Sequence, residues 1–295
     1  IPLMTCEVTI GYATGNAAID AYKVLKPNTK WYLAGYLHTV AALIIVGYTS
    51  VIYAWIIKYI GGAFSGDFIG LTSEGIQAYF DGFNANKPIV FLFFLINFIL
   101  NDAVIILGVQ KGIERVSKIL IPILFVIMIV IIIFGLRLPG AKDGIEFLFK
   151  PDPSKFSLNS VIICLGQAFF ALGLAMLGSM VFGSYIKEKN ENIFKDSSVI
   201  CIALVFAGIL SGLMILPIVF ATGLTPREGV GLTFLTLPLA FNVVPFGRIL
   251  SVLFYFGFYI AAFTSSVGVL EAIVGQFMER FKLERVKALI FANII

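Results

Sequence analysis

Few side chains in this sequence are of types that carry out chemistry. The three cysteines, Cys6, Cys164 and Cys201, lie in apolar runs at spacings unlike those of metal ligands, which favours packing roles. His38 is the single histidine, so a histidine metal centre or a histidine proton relay is excluded. The sequence contains no nucleophile–base pair and no phosphate-binding glycine loop. We therefore do not expect an enzyme.

Glycines punctuate one long apolar run at residues 166–185, GQAFFALGLAMLGSMVFGSY. Each interior glycine weakens a helix by about 1 kcal/mol relative to alanine. In lipid, loosened backbone is tolerated only where it is enclosed by protein or lines a watery cavity. The run therefore suggests a discontinuous helix with a ligand at its break. Close helix packing through small residues is the alternative.

Two ionisable residues, Asp102 and Glu271, lie in or near apolar runs, where a charge is costly and often functional. Asp102 is close to a basic connector, and its carboxylate is predicted to reach toward it. Glu271 is predicted to pair within the helix bundle or to take part in inner gating. Asn97 and Asn101 are four residues apart and are predicted to hydrogen-bond a neighbouring helix.

The amino-acid composition indicates the class of protein to which these residues belong. Of 295 residues, 59% are hydrophobic and 13% are charged, and the mean hydropathy is +1.00. Runs of about 20 apolar residues are long enough to cross the hydrocarbon core. The sequence predicts an all-α, polytopic helical membrane protein whose partner is the lipid bilayer. A net charge of +4, scattered along the chain, does not indicate nucleic-acid binding.

Apolar runs predict membrane spans, and proline interrupts one more apolar segment. The spans are predicted at 33–60, 88–109, 119–136, 166–185, 199–222 and 247–277, after the end of another span at 1–10. Tyr53, Trp55 and Tyr59 are predicted to form an interfacial aromatic cluster. Segment 223–246 is apolar but contains prolines, and it is predicted to dip back as a short helical hairpin.

Lysine and arginine concentrate in alternate connectors, namely 11–32, 110–118, 187–198 and 279–287. By the positive-inside rule these four connectors are predicted to be cytoplasmic. The connectors 61–87, 137–158 and 223–246 then face outside. The predicted location is the plasma membrane, with the chain crossing it several times.

Four motifs resemble the neurotransmitter:sodium symporters of the LeuT-type fold. They are PLMTCEVTIGYATG at 2–15, GVQKGIERVSKILIPILF at 108–125, GQAFF with GSY inside 166–185, and FTSS at 263–266. The order and spacing of the spans agree along essentially the whole chain. The resemblance implies an inverted-repeat transporter fold and a single transporter domain over 1–295. That domain is expected to run from late in the family's second helix to the start of its ninth, without the first helix and the C-terminal helices.

The family's activity implies a sodium-coupled symporter that moves amino acids or related small amines by alternating access. Na⁺ is the implied coupling ion, and no organic cofactor is implied. Two alternatives remain open. One is a transporter of the same fold that is uncoupled from sodium or driven by protons through Asp102 or Glu271. The other is a non-transporting membrane scaffold or regulatory protein.

The resemblance also implies substrate-binding positions. They fall on Tyr48, Thr49, Phe170, Ala171, Gly173, Met176 and Val269. Phe170 matches the aromatic lid of the family, and Met176 matches a pocket-lining residue. Ala171 and Gly173 would offer unwound backbone groups. With Val269 as a side wall, the implied substrate is an apolar or aromatic amino acid.

The family binds two sodium ions, and the two sites match this sequence unequally. For the second site, the carbonyl of Ala261 and the hydroxyls of Thr264 and Ser265 can share one helix face. Neutral oxygens suit an alkali cation; bonding of the hydroxyls to the preceding turn is the alternative. At the first site, Ala171 and Ala203 replace residues that supply side-chain oxygens. The first sodium site is therefore expected to be lost or rebuilt.

Overall fold

A computed structural model describes residues 1–186, 192–226 and 229–294. Every regular element within these residues is helical, as predicted. The α-helices are α1 Pro2–Thr14, α2 Ala18–Leu25, α3 Tyr32–Ser65, α4 Ser73–Ala85, α5 Lys87–Ile106, α6 Arg115–Gly135, α7 Ala141–Phe149, α8 Leu158–Ala171, α9 Gly178–Ser184, α10 Ile193–Ala221, α11 Leu237–Val243, α12 Gly247–Phe281 and α13 Arg285–Ile294. Two π-helical turns, Val109–Glu114 and Leu232–Thr236, precede α6 and α11.

Five of the described helices are long and apolar enough to cross a membrane. They are α3, α5, α10, α12 and the segment Lys111–Gly135 that contains α6. Each overlaps one of the predicted spans. The longest, α3 and α12, have 34 and 35 residues. At about 1.5 Å per residue, both exceed the hydrocarbon thickness of about 30 Å.

Three predicted connectors contain helices, which corrects the interpretation of them as loops. Segment 11–32 contains the end of α1 and all of α2, segment 61–87 contains α4, and segment 137–158 contains α7. These short helices are amphipathic, and each buries an apolar face, such as Ile76 and Phe83 of α4. Residues 187–191 of a predicted cytoplasmic connector lie outside the described residues.

Helix α4 begins with a side-chain cap and is hydrogen-bonded to the turn that follows α3. The hydroxyl of Thr72 accepts a hydrogen bond from the Gly75 amide at 3.3 Å. Tyr79 donates to Asp67 Oδ2 at 3.1 Å. Burial, together with the negative charge of Asp67, raises the pKa of Tyr79 above its ordinary value.

The segment before α12 folds back as a short helical element, as predicted for 223–246. Its π-helical turn Leu232–Thr236 continues into α11, which packs on α12. Tyr59 of α3 donates to the Phe234 carbonyl at 3.0 Å, and Tyr255 of α12 donates to the Thr233 carbonyl at 2.7 Å. The side chain of Tyr59 is also fully buried. Its predicted place in an interfacial cluster is wrong, because its hydroxyl finds a partner inside the protein.

Helix α12 is central to the arrangement of the described helices. It packs against α3, α5, α6, α9, α11 and α13. Its first half shares an apolar core with α3 and α11, and its second half shares another core with α5, α9 and α13. The second core is the one that adjoins the interruption between α8 and α9.

Candidate functional site

The apolar run at 166–185 is interrupted in its middle. Helix α8 ends at Ala171, α9 begins at Gly178, and the residues between them form turns and bends. The predicted discontinuous helix is thus present. Backbone groups between the two helices are released from the regular helical ladder, so they can bind a ligand or another part of the protein.

The interruption adopts an unusual backbone conformation. Gly173 has a φ of +63°, and Ala175 and Leu177 have φ values of +58° and +70°. A non-glycine residue in this region costs about 1–3 kcal/mol, so surrounding contacts must hold it. Leu177 provides one such contact, because its side chain is 1% exposed and lies in the second apolar core.

Glu7 of α1 provides another contact with the interruption. Its Oε1 accepts a hydrogen bond from the Ala175 amide at 2.9 Å. The negative carboxylate therefore binds a backbone donor that the broken helix leaves free. Sequence reasoning missed this role. The available signal was a lone acidic residue within the apolar segment PLMTCEVTIG.

Glycines bring α1 and α9 into close contact. A Cβ atom on Gly183 would lie 2.4 Å from the Val8 carbonyl oxygen, and one on Gly11 would lie 1.9 Å from the Met180 carbonyl oxygen. Both clashes would be with backbone, which cannot rotate away. At Gly183, small-residue packing therefore accounts for the glycine, whereas at Gly173 the positive φ favours glycine.

The positions implied for substrate binding differ in exposure. Tyr48, Phe170 and Ala171 are exposed, whereas Thr49, Gly173, Met176 and Val269 are half-buried. Val269 packs against the core that contains Leu177, so α12 and the interruption are brought together. The Thr49 hydroxyl donates to the Ile45 carbonyl of its own helix at 2.7 Å.

The hydroxyls implied for sodium binding cluster around one carbonyl. Thr264 Oγ1 and Ser265 Oγ donate to the Ala261 carbonyl oxygen at 3.1 and 3.0 Å. Thr264 also lies 3.0 Å from the Ile260 carbonyl. These contacts are the back-bonding alternative, yet they also place three neutral oxygens on one helix face. Thr264 is half-buried and Ser265 is exposed, so this face can receive further ligands.

Three oxygens are fewer than a dehydrated cation requires, because hard cations bind about six. The set therefore fits one part of a sodium site. At the positions matching the first sodium site, Ala171 and Ala203 are exposed and carry no side-chain oxygen. The two implied sites are thus chemically unequal in this chain.

Further along α12, between Ser265 and the end of the helix, Glu271 forms a buried ion pair. It is fully buried, and its Oε2 lies 2.6 Å from Arg285 Nη1 of α13. Tyr185, which follows α9, donates to Glu271 Oε1 at 3.1 Å. Arg285 also donates to the Ile105 carbonyl of α5 at 3.3 Å. The predicted pairing of Glu271 within the bundle is confirmed, and it joins α5, α9, α12 and α13.

The polar residues of α5 have partners on two helices. Asn97 accepts from Tyr259 of α12 at 3.3 Å, as predicted. Asn101 donates to the Asn97 carbonyl at 2.8 Å, so its predicted bond to a neighbouring helix is wrong. Asp102 accepts from Asn293 of α13 at 2.8 Å. The predicted reach of Asp102 toward the connector is also wrong, because α13 offers it a donor.

A polytopic α-helical protein with a helix interrupted in mid-span has the architecture of a secondary transporter. The model of the sodium:neurotransmitter symporter family matches residues 85–295. The chain belongs to this family, which consists of transporters and not of enzymes. It has the LeuT-type fold, since the crystal structure of MhsT in complex with L-phenylalanine matches with a TM-score of 0.89 at 34% identity.

Relatives cover the chain almost fully. The sodium-dependent transporter YhdH of Bacillus subtilis is 36% identical over 92% of this chain and 60% of its own length. A sodium-dependent transporter of Haemophilus influenzae is 32% identical over 98% of this chain and 65% of its own length. The MhsT match covers 99% of this chain and 66% of MhsT. The chain therefore spans less than two thirds of the length of these relatives.

Proposed function

We propose that the protein is a sodium-coupled symporter that moves amino acids or related small amines by alternating access. The observation that carries this proposal is the interruption between α8 and α9, with Ala175 held by Glu7. Such a break places backbone donors and acceptors inside a membrane-spanning bundle, where a zwitterionic substrate needs them. The relatives that match most of the chain are named as sodium-dependent transporters.

Sodium binds at the hydroxyl cluster of α12 in this proposal. The Ala261 carbonyl and the Thr264 and Ser265 hydroxyls supply three ligands, and the rest come from outside this set. When the ion arrives, the two hydroxyl hydrogens turn away from the Ala261 carbonyl, so that all three oxygens face the cation. Sodium then stabilises the conformation that binds substrate, in proportion to its preference for that conformation.

One sodium ion, rather than two, accompanies each substrate. Ala171 and Ala203 leave the first site without side-chain oxygens, and a cation there would be incompletely coordinated. Cooperative sodium dependence would instead mean that other groups complete this site.

The substrate is an apolar or aromatic amino acid. Phe170, Met176 and Val269 would form the apolar walls, and the backbone at Ala171 and Gly173 would bind its polar groups. MhsT, a structural neighbour, was crystallised with L-phenylalanine. Tyr48 and Thr49 of α3 would lie on the opposite side of the substrate. The protein would operate in the plasma membrane, with connectors 11–32, 110–118, 187–198 and 279–287 in the cytoplasm.

The test is amino-acid uptake into proteoliposomes that contain the intact protein, titrated with sodium. We expect a Hill coefficient near one for sodium. Replacing Ser265→Ala should raise the sodium concentration for half-maximal uptake by about tenfold or more, because a hydrogen bond or ligand to a charge contributes about 1.5–3 kcal/mol.

Ser211 of α10 provides the matched control. It donates to the Ala207 carbonyl at 2.9 Å, in the same geometry as Ser265. Ser211→Ala should leave the sodium dependence unchanged. Equal effects of the two substitutions would mean that the Ser265 hydroxyl only bonds to the preceding helical turn and does not bind sodium. Uptake that is indifferent to sodium would contradict the symporter proposal itself.

A further inference from the structure

A carboxyl group and an amide group face each other where α5 meets α13. Asp102 Oδ2 accepts a hydrogen bond from Asn293 Nδ2 at 2.8 Å. The other two oxygens of this pair, Asp102 Oδ1 and Asn293 Oδ1, are buried and have no hydrogen-bond partner within the described residues. Both are acceptors when the carboxyl is ionised. A single hydrogen placed between Asp102 Oδ1 and Asn293 Oδ1 would therefore give both oxygens a hydrogen-bond partner.

Within the part of the chain that the structure describes, no positive charge compensates Asp102. Among residues 1–186, 192–226 and 229–294, no lysine, arginine or histidine forms an ion pair with it. Arg285 reaches the carbonyl of Ile105, one turn along α5, but its guanidinium is paired with Glu271. An ionised Asp102 would be a half-buried charge that has one hydrogen bond, from Asn293, and no opposite charge within the described residues, which proteins avoid.

The other titratable groups on the elements packed against this part of α5 are also engaged elsewhere or exposed. On α12, Tyr259 donates to Asn97. On the π-helical turn, Glu114 pairs with Lys118, and Lys111 is exposed. His38 of α3 has its ring against Tyr22 of α2. In the described structure, none of these groups is bonded to Asp102.

We propose that Asp102 is protonated and forms a carboxylic acid–carboxamide pair with Asn293, which makes the α5–α13 contact a proton-binding site. The Asp102 Oδ1–H group donates to Asn293 Oδ1, while Asn293 Nδ2 donates to Asp102 Oδ2. One proton thus satisfies both unpaired oxygens and removes the charge from the membrane. The site is separate from the hydroxyl cluster of α12 and does not depend on sodium transport.

Proton binding and helix contact are coupled at this site. Separating α13 from α5 removes the amide and exposes the acid, so the proton is then released more readily. Conversely, loss of the proton leaves an unpaired carboxylate that weakens the contact. A water molecule or a sodium ion bridging the two oxygens is the competing occupant, and it requires an ionised carboxylate.

Infrared spectroscopy of the purified protein in detergent distinguishes these states, because a protonated carboxylic acid has its own carbonyl stretching band. We expect this band near neutral pH and its loss in Asp102→Asn, which keeps both hydrogen bonds through its amide. Asp143→Asn, at an exposed carboxylate of α7, is the matched control and should retain the band. Identical band intensity in the wild type and Asp102→Asn would overturn the proposal.

Asn293→Ala gives a second readout at the partner residue. Removing the amide should shift the frequency of the acid band, because both hydrogen bonds of the acid are lost. Thermal stability should also fall as pH rises in the wild type, since the folded protein holds one more proton than the unfolded chain. Asp102→Asn should lose this pH dependence. The proposal fails if the band is unshifted in Asn293→Ala and the stability of Asp102→Asn depends on pH as that of the wild type does. Asp102 would then be ionised.

Discussion

Arg285 neutralises the charge of a fully buried carboxylate in the second half of α12. Glu271 is fully buried, and its carboxylate receives hydrogen bonds from Arg285 and Tyr185. A buried pair is not a large source of stability by itself, because desolvation of both charges offsets their attraction. Removing one partner is different, since the other charge stays buried without compensation. The pair is thus a constraint on how α9, α12 and α13 are arranged.

Replacing Arg285→Leu should destabilise the protein by about 3–5 kcal/mol, because Glu271 would remain buried and unpaired. The double substitution Arg285→Leu with Glu271→Leu should recover a large part of this loss. Thermal unfolding in detergent measures both. Lys287→Leu is the control, because Lys287 is 68% exposed and its partner, Glu284, is exposed too. If Arg285→Leu were as mild as this control, the pair would not constrain the helices.

At the scale of elements, the contact between α1 and α9 holds one side of the interruption in place. Gly183 and Gly11 allow backbone to touch backbone, and Glu7 then reaches the Ala175 amide. A glycine contact and a single hydrogen bond thus act together with the burial of Leu177 to hold the strained turn. Each of these contacts can be removed by a single substitution.

Gly183→Ala should destabilise the protein by about 1–3 kcal/mol, because the added methyl overlaps the Val8 carbonyl. Gly178→Ala is the matched control in the same helix. A Cβ at Gly178 would meet nothing within 4 Å, so this change should be neutral or slightly stabilising. Thermal unfolding of the two variants provides the comparison. Equal stability of both would show that α1 and α9 can separate without cost.

Elements differ in how far sequence predicts them. The long spans follow from hydropathy because lipid requires continuous apolar helices. Helices α2, α4 and α7 were missed because a short amphipathic helix resembles a polar loop when its buried neighbours are unknown. The break after Ala171 was predictable from its glycines, but the left-handed Ala175 and Leu177 were not. Their conformation comes from tertiary contacts, namely the bond to Glu7 and the burial of Leu177.

Among the site residues too, local relations could be predicted from the sequence and tertiary contacts could not. The hydroxyls of Thr264 and Ser265 share a helix face, and their spacing in the sequence predicts this. The partners of Asp102 and Glu271 lie on α13, 191 and 14 residues away. The sequence alone does not say which helix will face a buried carboxylate.

At the scale of the whole molecule, the proposed orientation can be tested by labelling. With Cys6, Cys164 and Cys201 replaced by alanine, a single cysteine is introduced at Lys26 or at Asp81, both of which are exposed. A membrane-impermeant thiol reagent should label Asp81→Cys in intact cells and Lys26→Cys only after permeabilisation. The opposite pattern would invert the orientation predicted by the positive-inside rule.

Helices α3 and α12 have 34 and 35 residues, so each is about 50 Å long. Tyr59 and Tyr255 hydrogen-bond the two helices to the same π-helical turn, so we expect the tilts of the two helices to be coupled. A thinner bilayer would increase their common tilt, and a thicker one would reduce it. We therefore expect a change in hydrophobic mismatch to move the π-helical turn Leu232–Thr236 together with both helices. Because Ala261, Thr264 and Ser265 lie on α12, we expect lipid chain length to change sodium binding at the proposed site without any direct contact between lipid and ion.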